Sequence, residues 1–163
     1  MGLTAFIFPG QGAQYVGMGK HLWDDYPTAR RVFEKVDDVL GFSISKLCFE
    51  GPEDKLKETA VTQPAILTVS AAYLAVLAEM GIRADIAAGL SLGEYGALLV
   101  GNVLGEDEAI PLVHKRGIFM QEAVPLGQGA MAAILGLDAG VVEEMCYDAQ
   151  SCGVVEVANY NCP

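Results

Sequence analysis

The chain has 163 residues, 52% of them hydrophobic, and a formal charge of −11 from 10 basic and 21 acidic residues. That length can bury one sizeable core without covalent staples, and the acidic balance argues against non-specific binding to nucleic acid or anionic membranes, both of which need clustered cations. Cys48, Cys146, Cys152 and Cys162 form no CxxC pair and meet no histidine at zinc-ligand spacing, so reduced structural thiols are expected and a metal site is not.

The amino terminus has no basic segment, and its apolar run, residues 3–8, is too short for a signal peptide or membrane span. Position 6 is Phe6, where a myristoylation signal needs Ser or Thr. A soluble cytoplasmic protein with small-molecule or protein partners is expected. Residues 3–8 read as a buried strand leading into the loop Pro9-Gly10-Gln11-Gly12-Ala13-Gln14. Tyr15 stands where a GxGxxG loop needs glycine, and position 14 lacks the glycine of a Walker loop ending Gly19-Lys20, so nucleotide binding is not expected. Gln11 between two glycines can aim an N–H donor at a developing alkoxide; equally, it can simply brace the loop.

Residues 27–40 place Val32, Phe33, Val36, Val39 and Leu40 at helical spacing, with Pro27 in the first turn and Gly41 as the stop. Residues 43–58 read as short helical pieces broken at Gly51-Pro52. Thr62-Gln63-Pro64 then opens a long, apolar, buried helix to Met80, capped by Thr62 and ended by Gly81. A second strand is expected over 86–90, a helix over 92–100, and another over 106–124 with acids in its first turn and a bend at Pro111. Residues 130–137, 139–150 and 153–159 read as strand, helix and strand. Strands alternating with long helices predict an α/β fold with a parallel sheet covered on both faces. Two strands before Gly129 make a thin sheet, and the unit begun at Ala130 is unfinished at Cys162-Pro163, so the chain reads as cut short.

The most informative stretch is Gly89-Leu90-Ser91-Leu92-Gly93-Glu94, between the second strand and the helix after it. In a GxSxG turn the glycines let strand and helix crowd together while the serine hydroxyl is held at the strand's end, and the backbone N–H after the nucleophile, here that of Leu92, serves an oxyanion. The same residues spell S-x-x-E, a helix capping box. Capping has no use for glycine on both sides of the serine, so the nucleophile reading is favoured, and both can hold together.

Five blocks, Phe8-Pro9-Gly10-Gln11-Gly12-Ala13-Gln14, Thr62-Gln63-Pro64-Ala65, Gly89-Leu90-Ser91-Leu92-Gly93-Glu94-Tyr95, Arg116-Gly117-Ile118-Phe119-Met120-Gln121-Glu122-Ala123-Val124-Pro125 and Gly129-Ala130-Met131-Ala132-Ala133-Ile134, resemble the malonyl-CoA:acyl-carrier-protein transacylases in order and spacing. The likeness runs from Phe6 to the last residue, where Val157-Ala158-Asn159-Tyr160-Asn161-Cys162-Pro163 resembles the next block of that family, whose whole members continue well beyond this point. The resemblance implies part of an α/β-hydrolase-like acyltransferase core over residues 1–127 and the first part of a ferredoxin-like subdomain over 128–163. It implies that Ser91 takes malonyl from coenzyme A and passes it to the phosphopantetheine thiol of acyl carrier protein, in fatty-acid biosynthesis. Gln11 and the Leu92 amide would form the oxyanion hole, Arg116 would bind the malonyl carboxylate, Gln63 would line the site and Glu94 would cap. Beyond the coenzyme A thioester as substrate, no cofactor is implied.

Arg116 has its own case, because its helical neighbours Leu112, Val113, Phe119 and Met120 are all apolar and none is an acid. A guanidinium in such surroundings suits a carboxylate brought from elsewhere, held by two parallel hydrogen bonds, although an arginine can also reach water along its stem. Lys115 likewise lacks acids at those spacings. The sequence departs from the family at Leu90, where most members have histidine, and in lacking a base: only His21 and His114 are present. His114 and Arg116 project about 200° apart on one helix, so His114 is expected in solvent and His21 in a structural role. The family's catalytic histidine comes later than residue 163. Two rivals stand beside a transacylase: a serine esterase or thioesterase with water as acceptor, and a non-catalytic binding fragment. Arg30-Arg31 with Lys35 is the candidate patch for an acidic carrier protein.

Overall fold

The computed structural model describes residues 2–124 and 127–161, so Cys162, and Pro125 and Pro163 of the quoted blocks, lie outside the described residues. Two compact units divide the chain, Met1–Leu126 and Gly127–Pro163.

In the first unit, β1 (Ala5–Phe8) and β2 (Ile86–Gly89) form a two-stranded parallel sheet with Ala5 opposite Ile86 and Phe8 opposite Gly89. The helices are α1 (Lys20–Asp25), α2 (Pro27–Leu40), α3 (Ile44–Glu50), α4 (Glu53–Leu56), α5 (Thr59–Glu79), α6 (Gly93–Val100) and α7 (Glu106–Ala123). The punctuation of α2 is as read from the sequence: Pro27 opens it and Gly41, at φ 72°, ends it in the left-handed conformation that glycine adopts without penalty. Ser43 caps α3 by accepting from the Lys46 N–H at 3.2 Å.

The core lies among the helices. Phe33, Val36, Ile44, Leu56, Leu67, Leu92, Ile110 and Val113 are buried to within 2% of completely. The rings of Trp23, Phe33 and Phe49 meet edge to face with centroids 5.0 to 6.0 Å apart, the geometry their quadrupoles favour. Helix α5 packs against α2, α3, α6 and α7 and is apolar on every side. Its length and composition would let it cross a membrane, yet 56% of its most apolar stretch is buried inside the fold, the signature of a core helix.

Several expectations need correction. Helix α5 starts at Thr59, three residues before Thr62, which is therefore no cap; its hydroxyl donates back to the Leu56 carbonyl. Pro64 consequently sits in the second turn. The sheet is not covered on both faces within the described residues: β1 buries only Phe8, and Ile7 is 71% exposed.

The second unit holds α8 (Ala139–Ala149) and a 3₁₀ turn (Gln150–Cys152). The strands expected over 130–137 and 153–159 do not form. A strand exists through its ladder, and these apolar runs find no pairing partner among the described residues, leaving Leu135 and Val154 about nine-tenths exposed. The α/β class stands; a ferredoxin-like arrangement is not seen.

Candidate active site

The site stands at the carboxyl ends of the two parallel strands, where ligands bind in open α/β sheets. Because Phe8 lies opposite Gly89, the loop carrying Gln11 and the turn carrying Ser91 leave the sheet side by side. The Leu90 N–H donates to the Phe8 carbonyl at 3.2 Å, extending the pairing one residue beyond β2.

Ser91 has φ 53°, a left-handed backbone that costs a non-glycine residue energy unless its surroundings impose it. Here they do. A Cβ on Gly89 would stand 2.0 Å from the Gly93 carbonyl carbon, and one on Gly93 would stand 2.2 Å from the Phe8 carbonyl oxygen. Strand and helix thus touch backbone to backbone, which throws the serine outward, where it is exposed.

The capping reading of Ser91 and Glu94 is overturned. Leu92 occupies the cap position of α6 with no side-chain cap, since the left-handed Ser91 turns its hydroxyl away from the helix. That hydroxyl accepts instead from Arg116 Nη2 at 3.0 Å. Arg116 Nη1 donates to Gln63 Oε1 at 2.6 Å. Gln63, 1% exposed, donates onward to Gln11 Oε1 at 3.4 Å and Met120 Sδ at 3.1 Å. The Gln11 amide nitrogen donates to Thr59 Oγ1 at 3.2 Å.

Gln11, Gln63, Ser91 and Arg116 therefore form one hydrogen-bonded chain, with buried Leu92 beside the serine. One N–H of the Gln11 side-chain amide is engaged by Thr59, which leaves the second amide N–H and the backbone N–H as donors. Among the described residues, the backbone N–H groups of Gln11 and Leu92 have no acceptor. Arg116 pairs with no carboxylate among the described residues. Thr59 is not among the residues the sequence singles out; Met120 is, as an apolar neighbour one turn after Arg116, and it accepts from Gln63.

Neither histidine bonds to Ser91. His114 is half-buried rather than solvated, its ring 5.5 Å from that of Phe42, and His21 Nε2 lies 3.1 Å from the Tyr73 hydroxyl. Of the basic patch, only Lys35 is paired with acids among the described residues. Arg30 donates to the Trp23 carbonyl and lies over its ring, Arg31 donates to Thr28, and Lys35 pairs with Asp107 at 3.0 Å and Glu106 at 3.4 Å. The Asp107 hydrogen bond is the main cause that holds the Lys35 ammonium above its ordinary range. Lys115 caps the ring of Phe119 at 5.4 Å. No cluster of metal-ligating side chains occurs among the described residues.

Comparison with known proteins bears on this geometry. Residues 5–161 match the family described as acyl transferase domain. Malonyl CoA-acyl carrier protein transacylase of Bacillus subtilis (strain 168) is 48% identical over 164 residues, an alignment covering 100% of this chain and 52% of that protein. The crystal structure of malonyl CoA-acyl carrier protein transacylase from Clostridium perfringens superposes with a TM-score of 0.90 at 44% identity, covering 99% of this chain and 51% of the other. A type II PKS acyl-carrier protein in complex with its malonyl-transacylase matches at a TM-score of 0.87 and 41% identity, covering 93% of this chain and 49% of that one. The chain spans about half the length of the curated relatives it matches.

Proposed function

The chain belongs to the acyl transferase domain family, and from that membership we propose that it is part of an [acyl-carrier-protein] S-malonyltransferase. The observation that carries the reading is the Arg116 guanidinium, bonded to Ser91 and Gln63 and without a carboxylate partner among the described residues. A fixed cation beside a nucleophilic serine selects an acyl group that ends in a carboxylate.

In the proposed reaction Ser91 Oγ attacks the thioester carbonyl of malonyl-CoA while Arg116 grips the free carboxylate. The tetrahedral oxyanion is taken by the backbone N–H groups of Gln11 and Leu92. Collapse breaks the carbon–sulfur bond, coenzyme A leaves as a thiol after protonation, and malonyl remains as an ester on Ser91. The phosphopantetheine thiol of acyl carrier protein then attacks that ester and restores the hydroxyl, completing a ping-pong cycle. Gln63 holds Arg116 in place. Serine needs a base to take its proton, and we assign that base to the part of the relatives' length that this chain does not span. The reading asks for no cofactor beyond the substrate thioester and carries a setting in cytoplasmic fatty-acid synthesis. Residues 1–127 would belong to an α/β-hydrolase-like core and 128–163 to the opening of a ferredoxin-like subdomain, whose strands gain ladders only against strands supplied elsewhere.

The test is incubation with malonyl-CoA followed by mass spectrometry of the Ser91 peptide. A malonyl adduct lost in Ser91→Ala supports the reading, and a full-length protein that never carries one refutes it in favour of a binding role. Burst kinetics with carrier-protein thiol and with water as acceptors separate a transferase from an esterase or thioesterase, which has no use for a cation at Arg116.

A further inference from the structure

We propose that Gly117 and Gln121, which form no hydrogen bond with Ser91 or Gln63 among the described residues, are positioning residues that set Arg116 for carboxylated acyl groups; this rests on the reading of Arg116 as the carboxylate anchor. The starting point is the front end of α5. The residue before it, Glu58, supplies no side-chain cap. The Val61 and Thr62 N–H groups bond back to the Glu58 carbonyl, and the Ala60 N–H is taken by Gln121 Oε1 at 3.3 Å, from 61 residues away on α7. One helix thus caps another.

Gly117 allows the approach. A Cβ there would stand 2.7 Å from the Thr59 carbonyl oxygen and 2.9 Å from the Ala60 Cα. Both neighbours are backbone, so any side chain would push α7 off the end of α5. Gly117 and Gln121 are four residues apart and form one row on α7; Arg116 and Met120 form the adjacent row. The first row sits on Thr59 and Ala60, while the second meets Ser91 and Gln63. Seating one row fixes the rotation and height of the other. Thr59 also accepts from Gln11, so the same contact reaches the oxyanion side of the site.

Malonyl and acetyl groups differ only in the carboxylate that Arg116 would hold. A displaced guanidinium therefore penalises malonyl alone, whereas general loosening of the fold penalises both. The ratio of malonyl to acetyl kcat/KM reads the position of Arg116 and is little moved by stability.

The experiment compares Gln121→Ala, Gln121→Glu and Gly117→Ala in the full-length protein, with Ser91 acylation followed by mass spectrometry for both acyl groups. Gln121 is exposed, so its truncation leaves the core untouched. Misplacement of a binding group by about 1 Å can cost about a hundredfold, and the malonyl-to-acetyl ratio is expected to fall by about tenfold to a hundredfold in Gln121→Ala and Gly117→Ala. Gln121→Glu keeps an acceptor at a helix N-terminus, where negative charge is favoured, and is expected to restore the ratio. Wild-type ratios in both disruptive variants, or no recovery with glutamate, overturn the positioning role. A wild-type protein that never forms malonyl-Ser91 overturns the reading of the site itself, and the positioning role with it.

Discussion

Arg116 donates a hydrogen bond to the hydroxyl of Ser91 across 25 residues of sequence, at 3.0 Å. A cation donating to a serine oxygen draws electron density from that atom, so under the proposed reading this bond would restrain Ser91 from attack. A substrate carboxylate offers the guanidinium a stronger, bidentate partner and would release the serine as it binds.

Arg116→Ala should therefore lose malonyl transfer while keeping or gaining acetyl transfer in the full-length protein. Removing a charge-assisted pair costs roughly 2–5 kcal/mol, at least tenfold in malonyl kcat/KM at 1.4 kcal/mol per decade. Parallel kinetics with both thioesters decide it: equal losses for the two acyl groups would refute the role.

The 163-residue chain alone should show little transacylase activity compared with a full-length protein. His21 is tied to Tyr73 and His114 is packed on Phe42, so neither can take the Ser91 proton. Robust malonyl transfer by this chain, abolished by Ser91→Ala, is the result that would overturn the expectation.

Gly89→Ala and Gly93→Ala should each destabilise the first unit by more than about 3 kcal/mol, because backbone cannot yield to a Cβ as a flexible side chain can. Gly101 supplies the contrast. Its φ is −74° and the nearest contact to an added Cβ is an ordinary 3.5 Å, so Gly101→Ala should raise stability by roughly 0.4–1 kcal/mol through the unfolded state. Urea unfolding of the three variants measures the difference.

Cys48 should resist alkylation at pH 8 while exposed Cys152 reacts, as peptide-resolved mass spectrometry can record. Burial, with a smaller effect from the Asp37 carboxylate, pushes the Cys48 thiol up from 9.0 to about 12. Between those values the unfolded chain has released the proton and the folded chain retains it. The contribution of this group to stability is thus complete below pH 9 and is lost as pH rises toward 12. Rapid labelling of Cys48 under native conditions would contradict the burial.

What could be read in advance depended on range. Pro27 and Gly41 punctuate α2 through their own backbone preferences, and the crowding of Gly89 against Gly93 follows from glycines four residues apart; both are local and both were legible. Thr62 looked like a cap because its chemistry suits one, but the true start of α5 is set by contacts with Gln121, 61 residues on. The same holds for residues 130–137, whose apolar run suggests a strand but cannot reveal whether a partner lies beside it. The angle between His114 and Arg116 on one helix predicts solvent for His114, but no helical angle discloses Phe42. Within the site, Ser91 and Arg116 stood out by local pattern, whereas the turn of the Gln11 amide toward Thr59 depended on a residue 48 positions away.

The elbow has one more implication. Every contact that forces Ser91 outward, between Gly89, Gly93 and the Phe8 carbonyl, is made by uncharged backbone. No ionisable group takes part in that crowding, so neither added salt nor a change of proton concentration should alter the backbone turn that carries Ser91 outward. The outward turn is a mechanical property of the chain, whereas the bond that Arg116 makes to the hydroxyl is electrical.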